Sequence, residues 1–131
     1  FWRPLELLRI GIEGGAPTPV TASENPWGLA WGPDGYLLYG QGPDGIYRVP
    51  AGGGAPERLL APGRDLTYHG PGLLGDGSLL LTVAARSGDW SAARIVLASP
   101  GGDEARTLVS RGRDARLVAG DLLVYALEGT L

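Results

Sequence analysis

The sequence predicts an all-β fold of the β-propeller class, on the basis of a repeat and of the spacing of its apolar runs. A Gly-Gly pair ahead of a short strand recurs at residues 14–15, 53–54 and 101–102. The repeating unit is therefore about 40 to 48 residues long, the length of one four-stranded propeller blade. Turn sequences rich in Gly, Pro and Asp separate the apolar runs, as at residues 32–35. These runs predict about twelve short strands and no helix.

The predicted strands group into two complete blades and two half-blades. The half-blades are residues 1–22 and 112–131, and the complete blades are residues 23–62 and 63–111 between them. The first half-blade has the pattern of the outer two strands of a blade, and the last has the pattern of the inner two. The strands are predicted at residues 5–12, 18–22, 27–31, 36–40, 46–50, 57–61, 67–74, 79–85, 94–99, 105–110, 115–119 and 122–127.

A chain with three blades' worth of strands cannot close a ring, since propellers usually have about four to eight blades. The bare strand edges and the uncovered faces of two half-blades favour pairing with another chain. We therefore predict a homodimer with a six-bladed ring. Two of its blades would be composite, each formed by the first half-blade of one copy and the last half-blade of the other. The alternative is that the missing blades lie in a longer parent chain.

The composition limits the classes of function. The formal net charge is -3, from 14 acidic and 11 basic residues without a charged run, which argues against nucleic acid or an anionic membrane as a partner. The sequence has no cysteine and no lysine, which excludes disulfides, thiolate metal sites and a Schiff-base lysine. It contains no signal-peptide pattern and no apolar span of about 18 residues. No membrane contact by this segment is predicted, and the composition leaves the compartment open.

One dinucleotide-binding pattern is present but is interpreted as a turn. Residues 40–45 match Gly-x-Gly-x-x-Gly after a predicted strand. The pattern binds pyrophosphate only where it opens a helix, and here another strand, 46–50, follows. Pro43-Asp44-Gly45 instead suits a tight hairpin turn. The sequence therefore predicts no cofactor.

The candidate binding residues lie mainly on the loops that lead into the innermost strands, at one mouth of the propeller channel. These loops carry Glu24, Asn25, Asp65 and Asp114, with arginines beside them that include Arg116. Repeated around a ring, the carboxylates would offer oxygen ligands to a hard cation, or partners to the hydroxyls and amines of a polar ligand. The alternative is that Asp and Asn cap turns here and that the arginines neutralise them.

His69, the only histidine, falls on a predicted innermost strand near the channel. Catalysis or metal binding needs converging partners that the local sequence does not supply, so we interpret His69 as a hydrogen-bonded channel residue. Trp90 and Asp89 lie in a polar loop between two strands and are candidates for a recognition loop, or for a lid on their own blade. Trp31, which alternates with Leu29, is expected to pack between blades. No catalytic residue and no metal ligand set is predicted.

Several segments resemble the TolB-like propellers, which are built of the PD40 repeat. The resemblance covers nearly the whole chain, and its motifs are turn and packing residues, which specify fold better than function. It implies a six-bladed ring. In many bacteria such propellers are attached to serine/threonine protein kinases or accompany transcriptional regulators, which implies a bacterial protein, extracytoplasmic or cytoplasmic. The kinase motifs are absent from this segment, so no catalysis is implied. The resemblance rests on residues 25–35, 45–50, 53–54, 69–71, 112–116 and 123–126.

The sequence thus predicts a non-enzymatic scaffold that closes its ring by self-association. It would use the channel mouth and the Trp90 loop to bind a protein or a small polar ligand. Two alternatives stay open. One is half of a metal-dependent propeller hydrolase, similar to a lactonase, with the channel acids as metal ligands. The other is an assembly module, natural or engineered, whose only role is to oligomerise.

Overall fold

A computed structural model describes residues 5–24, 26–99 and 105–127, and these residues form twelve β-strands and no helix. Nothing in this part of the chain is a helix that could span a membrane. The strands, in chain order, are β1 (Glu6–Gly11), β2 (Gly14–Ala22), β3 (Trp27–Trp31), β4 (Tyr36–Gly40), β5 (Ile46–Pro50), β6 (Glu57–Leu60), β7 (Leu66–Leu73), β8 (Leu79–Ala85), β9 (Arg94–Ala98), β10 (Ala105–Val109), β11 (Arg113–Val118) and β12 (Leu122–Ala126).

The strands form four small antiparallel sheets, and in each of them strands that are neighbours in sequence are neighbours in space. Sheet I has the order β3-β4-β5-β6, and sheet II has the order β7-β8-β9-β10. The N-terminal hairpin is β1-β2 and the C-terminal hairpin is β11-β12. An all-β fold of short strands is therefore confirmed for the described residues. Short connections explain it, because antiparallel neighbours need only tight turns.

Aspartates fix the first turn of both four-stranded sheets. In sheet I the Asp34 carboxylate accepts a hydrogen bond from the Tyr36 backbone at 3.2 Å, and in sheet II Asp76 accepts one from Ser78 at 2.9 Å. The residue between the two partners is a glycine in each case, and Gly35 has a φ of +81° that side chains other than glycine rarely adopt. The repeated Gly-Asp-Gly turn of the sequence thus has the same physical role in both sheets.

The main core lies between sheets I and II. One face of sheet I contributes Leu38, Ile46 and Leu60, which pack against the facing side of sheet II. Burial of these aliphatic side chains is the main stabilising contribution to the sheet pair. The residues that sheet II contributes are Leu79, Leu81, Val83, Val96 and Ala98.

Each hairpin packs on the outward face of one sheet. Leu7 and Val20 of the N-terminal hairpin contact Tyr39 and Val49 on sheet I. In the C-terminal hairpin, Ala115 packs with residues of sheet II that include Leu80 and Ile95. The chain is therefore a stack in the order N-terminal hairpin, sheet I, sheet II, C-terminal hairpin.

In the single chain no other sheet covers Trp31, which was expected to pack between blades of a closed ring. Trp31 is 64% exposed, and its neighbour Leu29 is 53% exposed. Both lie on β3, on the same face as Leu37 and Tyr39, with which they pair across the sheet. The N-terminal hairpin covers this face only over β4 and β5, so nothing in the described chain covers β3 there.

Two strand starts differ from their predicted positions by more than one residue. The strand predicted at residues 18–22 begins at Gly14, because the chain turns at residues 12–13 and Gly11 already pairs with Gly14. The strand predicted at 115–119 begins at Arg113, which pairs with Ala126 ahead of a bulge. The third Gly-Gly pair, residues 101–102, lies outside the described residues.

Candidate functional site

A cleft of about 290 Å³ lies where β3, β7 and β11 run side by side. These are the first strands of sheet I, sheet II and the C-terminal hairpin. The loop between β8 and β9 adds one wall to the cleft. We call it the central cleft. Its lining consists of Trp27, His69, Trp90, Arg113, Asp114 and Arg116, together with Gly28 and Gly70.

His69 forms the floor of the central cleft and is 8% exposed. Its Nε2 atom lies 2.7 Å from the Thr67 hydroxyl, which donates to the Ala84 carbonyl at 3.4 Å. A hydroxyl has one hydrogen, and because Thr67 donates it to Ala84, we assign the Thr67 oxygen as the acceptor and the imidazole proton to Nε2. Nδ1 is then a hydrogen-bond acceptor, buried and without a partner among the described residues.

The environment keeps this imidazole neutral. Burial lowers the pKa of His69 below its ordinary value of 6.5, because a charged ring loses solvation there. The Asp114 carboxylate favours the charged form and offsets part of the shift. A neutral ring retains the unprotonated Nδ1 that the hydrogen-bond pattern requires.

Two tryptophans enclose the imidazole. Trp27, at the start of β3, meets His69 edge to face, with ring centroids 5.3 Å apart. Trp90 packs on His69 at 4.6 Å with a tilt of 47°. Trp90 therefore lies against its own sheet, and it is also a wall of the central cleft.

Asp89 positions the Trp90 loop. Its carboxylate accepts a hydrogen bond from the Ser91 backbone at 2.9 Å, and hydrogen bonds from Ser91 hold the pKa of Asp89 below its ordinary value. The Ala93 backbone N–H donates to the Trp90 carbonyl at 3.0 Å. The predicted recognition residue Asp89 is thus a turn residue in this structure, and it does not line the central cleft.

The third wall of the cleft is charged and comes from the start of β11. Asp114 has a φ of +54°, and its backbone N–H donates to the Thr82 hydroxyl at 3.1 Å. The Arg113 Nε atom lies 4.0 Å from the Asp114 carboxylate, and its guanidinium carbon lies 5.9 Å from the Trp90 ring centre. One Arg116 nitrogen donates to the Ala115 carbonyl at 3.0 Å. Two cations and one carboxylate therefore face the cleft.

The structure brings together four of the predicted site residues and separates the others. His69, Trp90, Asp114 and Arg116 line one cleft, whereas Glu24 and Asp65 do not. The Glu24 backbone N–H donates to the Gln41 side chain at 3.2 Å. The Asp65 carbonyl accepts from the Arg86 backbone at 2.8 Å. Asn25 lies outside the described residues.

Within the described residues, the carboxylates predicted at the channel mouth do not share the central cleft. Of Glu24, Asp65 and Asp114, only Asp114 reaches the central cleft. Within residues 5–24, 26–99 and 105–127, no group of three or more His, Cys, Asp or Glu side chains is arranged to hold a metal ion. The arrangement suits hydrogen bonding, aromatic stacking and the binding of an anion.

Sequence reasoning missed two residues of the site. Trp27 lines the cleft, and its position at the start of an innermost strand was the available signal. Thr67 orients the His69 ring, and the spacing of two residues along β7 places both side chains on the same face of the strand.

Comparison of the chain with models of protein families, with curated proteins and with solved structures finds no match.

Proposed function

We propose that the chain is a non-enzymatic binding scaffold that completes a six-bladed β-propeller when two copies associate. The single observation that carries the proposal is that its two hairpins are complementary. Each hairpin is a two-stranded sheet with open edges. The N-terminal hairpin packs over the second and third strands of sheet I, and the C-terminal hairpin contacts the first three strands of sheet II.

The N-terminal hairpin has the position of the second half of a blade. It covers sheet I over β4 and β5, and it leaves Leu29 and Trp31 on β3 exposed. A four-stranded sheet in this position would need two further strands beside β1, over the exposed face of β3. We assign these two positions to the first two strands of a blade.

The C-terminal hairpin has the position of the first half of a blade. It packs on β7, β8 and β9 through one face. Its other face carries Val118, Leu122 and Val124, and the last two are 60% and 59% exposed. An apolar face of this kind on a two-stranded sheet favours burial against a partner. In the proposed ring, this face of one copy covers Leu29 and Trp31 of the other.

The open edges fit the same arrangement. β1 pairs with β2 alone and β12 pairs with β11 alone among the described strands, so β1 and β12 each have an unpaired edge. Pairing β12 of one copy with β1 of the other gives the order β11-β12-β1-β2, which reproduces sheets I and II. Such pairing satisfies backbone groups that an edge strand leaves to water.

A register for this pairing follows from sheet I. Its residues 35–39 and 46–56 correspond in sequence to 121–125 and 7–17. Leu38 pairs with Arg48 in sheet I, so the corresponding pair is Val124 with Arg9 of the other copy. The correspondence also fits the burial: Val124 lies on the face that points away from sheet II, so in the ring it would face the next blade, as Leu38 faces sheet II.

The resulting ring has two copies each of sheets I and II and two composite sheets. The TolB-like resemblance of the sequence implies the same number of blades. A metal-dependent hydrolase has less support, because the described carboxylates do not converge. The central cleft is the surface that we assign to ligand binding.

The molar mass of the chain in solution tests the proposal. A single species at twice the 13.6 kDa of one chain is expected, with dissociation on dilution. A monomer at all concentrations contradicts self-closure, and it favours the alternative in which further strands of a longer parent chain cover β3.

A further inference from the structure

The central cleft combines three recognition features on a lining that belongs to one chain. They are a buried hydrogen-bond acceptor, aromatic walls and an excess of positive charge. We propose that the cleft binds a small, flat organic anion: an aromatic carboxylate that also carries a hydrogen-bond donor. This inference deepens the proposed binding function and rests on it.

The acceptor is Nδ1 of His69. A buried polar atom without a hydrogen bond is a cost to the folded state, and native proteins rarely leave one. With the proton assigned to Nε2, the remaining nitrogen is an acceptor that an N–H or O–H donor of a ligand can satisfy. A ligand hydroxyl or amine supplies that donor.

The approach to Nδ1 requires one of the enclosing rings to shift, because Nδ1 is shielded from solvent. Trp27 belongs to β3, which is fixed by pairing to β4. Trp90 lies in a loop outside the strands and is only partly buried. We therefore assign the movement to Trp90, whose indole would then stack on the ligand ring.

The charge on the third wall favours an anion. Arg113 and Arg116 face the cleft with Asp114 as the one carboxylate, and the neutral His69 adds no charge. Arg113 lies near Asp114 and Trp90, so Arg116 is the better candidate to bind a ligand carboxylate. Arginine binds carboxylates with paired, charge-assisted hydrogen bonds.

The size of the cleft limits the ligand. A volume of about 290 Å³ is at the lower end of small-molecule sites, which suits a single ring with two substituents. A ligand of about ten heavy atoms in such a site has an expected dissociation constant on the order of 1 mM or below. Weak binding of this kind is measurable by NMR titration.

The test uses the whole chain and a panel of probes. The panel contains the hydroxybenzoates and aminobenzoates in their three isomers, with benzoate as the probe that lacks the donor and 4-hydroxybenzyl alcohol as the probe that lacks the carboxylate. At least one isomer is expected to bind about tenfold more tightly than both control probes. Absence of binding by every isomer at about 10 mM overturns the proposal.

Variants locate the site. Arg116→Gln is expected to reduce the affinity for the best isomer by about tenfold. His69→Phe keeps a ring between the tryptophans and removes the acceptor. The best isomer and benzoate should therefore bind to this variant with the same affinity. Arg58→Gln changes an exposed residue of β6 and is the matched control, so it should leave the affinity unchanged. Binding that is equal in all three variants assigns the ligand to another surface and overturns the proposal.

The molar mass of the same samples separates the two proposals. If the chain is a dimer and binds no probe, the proposed ligand class is wrong and the proposed ring is retained. If the chain is a monomer and binds the preferred isomer through Arg116 and His69, the binding site in the cleft is retained and closure of the ring by self-association is wrong. This outcome is possible because all of the lining residues belong to one chain.

Discussion

Gly28 of β3 and Gly70 of β7 approach each other so closely that a Cβ atom on Gly28 would lie 2.7 Å from the Gly70 Cα atom. Gly28 also has a φ of +78°, which other residues rarely adopt. This backbone contact joins sheets I and II at the central cleft, and both glycines line it. The close approach allows Trp27 and His69 to meet.

Gly28→Ala is therefore expected to destabilise the chain by about 2 to 4 kcal/mol, from backbone strain together with a contact that only backbone movement can relieve. Gly52→Ala is the control, because a Cβ there meets nothing within 4 Å and its φ is not in the restricted range. The control should change stability by less than about 0.5 kcal/mol. Urea unfolding measures both. Equal stability of the two variants would contradict the close approach of β3 and β7.

The stability of the chain should fall as the pH falls through the range of histidine. The pKa of His69 is lower in the folded state than its ordinary value of 6.5, so the unfolded chain binds more protons below that pH. The contribution of the neutral ring is complete above about pH 7 and is lost progressively toward the folded-state pKa. Urea midpoints between about pH 7.5 and 5.5 measure the loss.

His69→Phe is the control for this pH dependence, since the chain has no other histidine. The midpoint of the variant should change less over that interval than the midpoint of the natural chain. The lowered pKa values of Asp76 and Asp89 affect the stability only at lower pH, because the ordinary pKa of aspartate is 3.8. If the urea midpoint of the variant changes with pH as much as that of the natural chain, His69 is not the cause of the pH dependence.

The tautomer of His69 is open to direct measurement. The Thr67 hydroxyl requires the proton on Nε2, so ¹⁵N NMR of the neutral ring should give an Nε2–H pattern. Thr67→Val removes the partner while it keeps the shape of the side chain, and the preference for this tautomer should weaken. A ring protonated on Nδ1 in the natural chain would contradict the assigned acceptor.

Trp31 is the residue at which self-association is most sensitive to a charge. Trp31→Glu places a carboxylate on the apolar face that the other copy would cover, and it is expected to raise the dimer dissociation constant by about a hundredfold or more. Ile12→Glu is the control, because Ile12 is 98% exposed and lies in the turn between β1 and β2. Sedimentation over a range of concentrations compares them. Equal dissociation constants would show that β3 is not an interface.

Most of the strands could be predicted from the sequence, because Gly, Pro and Asp mark their ends. The Asp34 and Asp76 turns are examples, since the same local hydrogen bond closes both. Local chemistry of this kind depends on residues two or three apart in sequence. The start of β2 differed because pairing of Gly11 with Gly14 extends the hairpin into a segment that was interpreted as a turn.

The environment of a sheet face was not predictable in the same way. Alternation indicated that Leu29 and Trp31 share a face, but it contains no information on what covers that face. The site shows the same limit. His69 and Trp90 meet because a loop folds back over β7, whereas Asp65 resembles Asp114 in sequence and lies outside the cleft. Such differences arise from the packing of sheets on one another.

The central claim is that β12 of one copy pairs with β1 of the other, and disulfide formation between two single-cysteine variants tests it directly. The natural chain has no cysteine, so each variant carries one thiol. Arg9→Cys and Val124→Cys change exposed residues that the sheet I register makes direct cross-strand partners. Directly opposed Cβ atoms in an antiparallel pair are about 4.5 to 5.5 Å apart, close enough for a disulfide after small adjustments.

The two variants are mixed, dissociated and reassociated, oxidised, and separated without reductant. The account predicts a linked species of two chains in the mixture and single chains in each variant alone, because the two Arg9 positions lie in different composite sheets, as do the two Val124 positions. Single chains in the mixture, or linked species of equal yield in each variant alone, would contradict the pairing of β12 with β1.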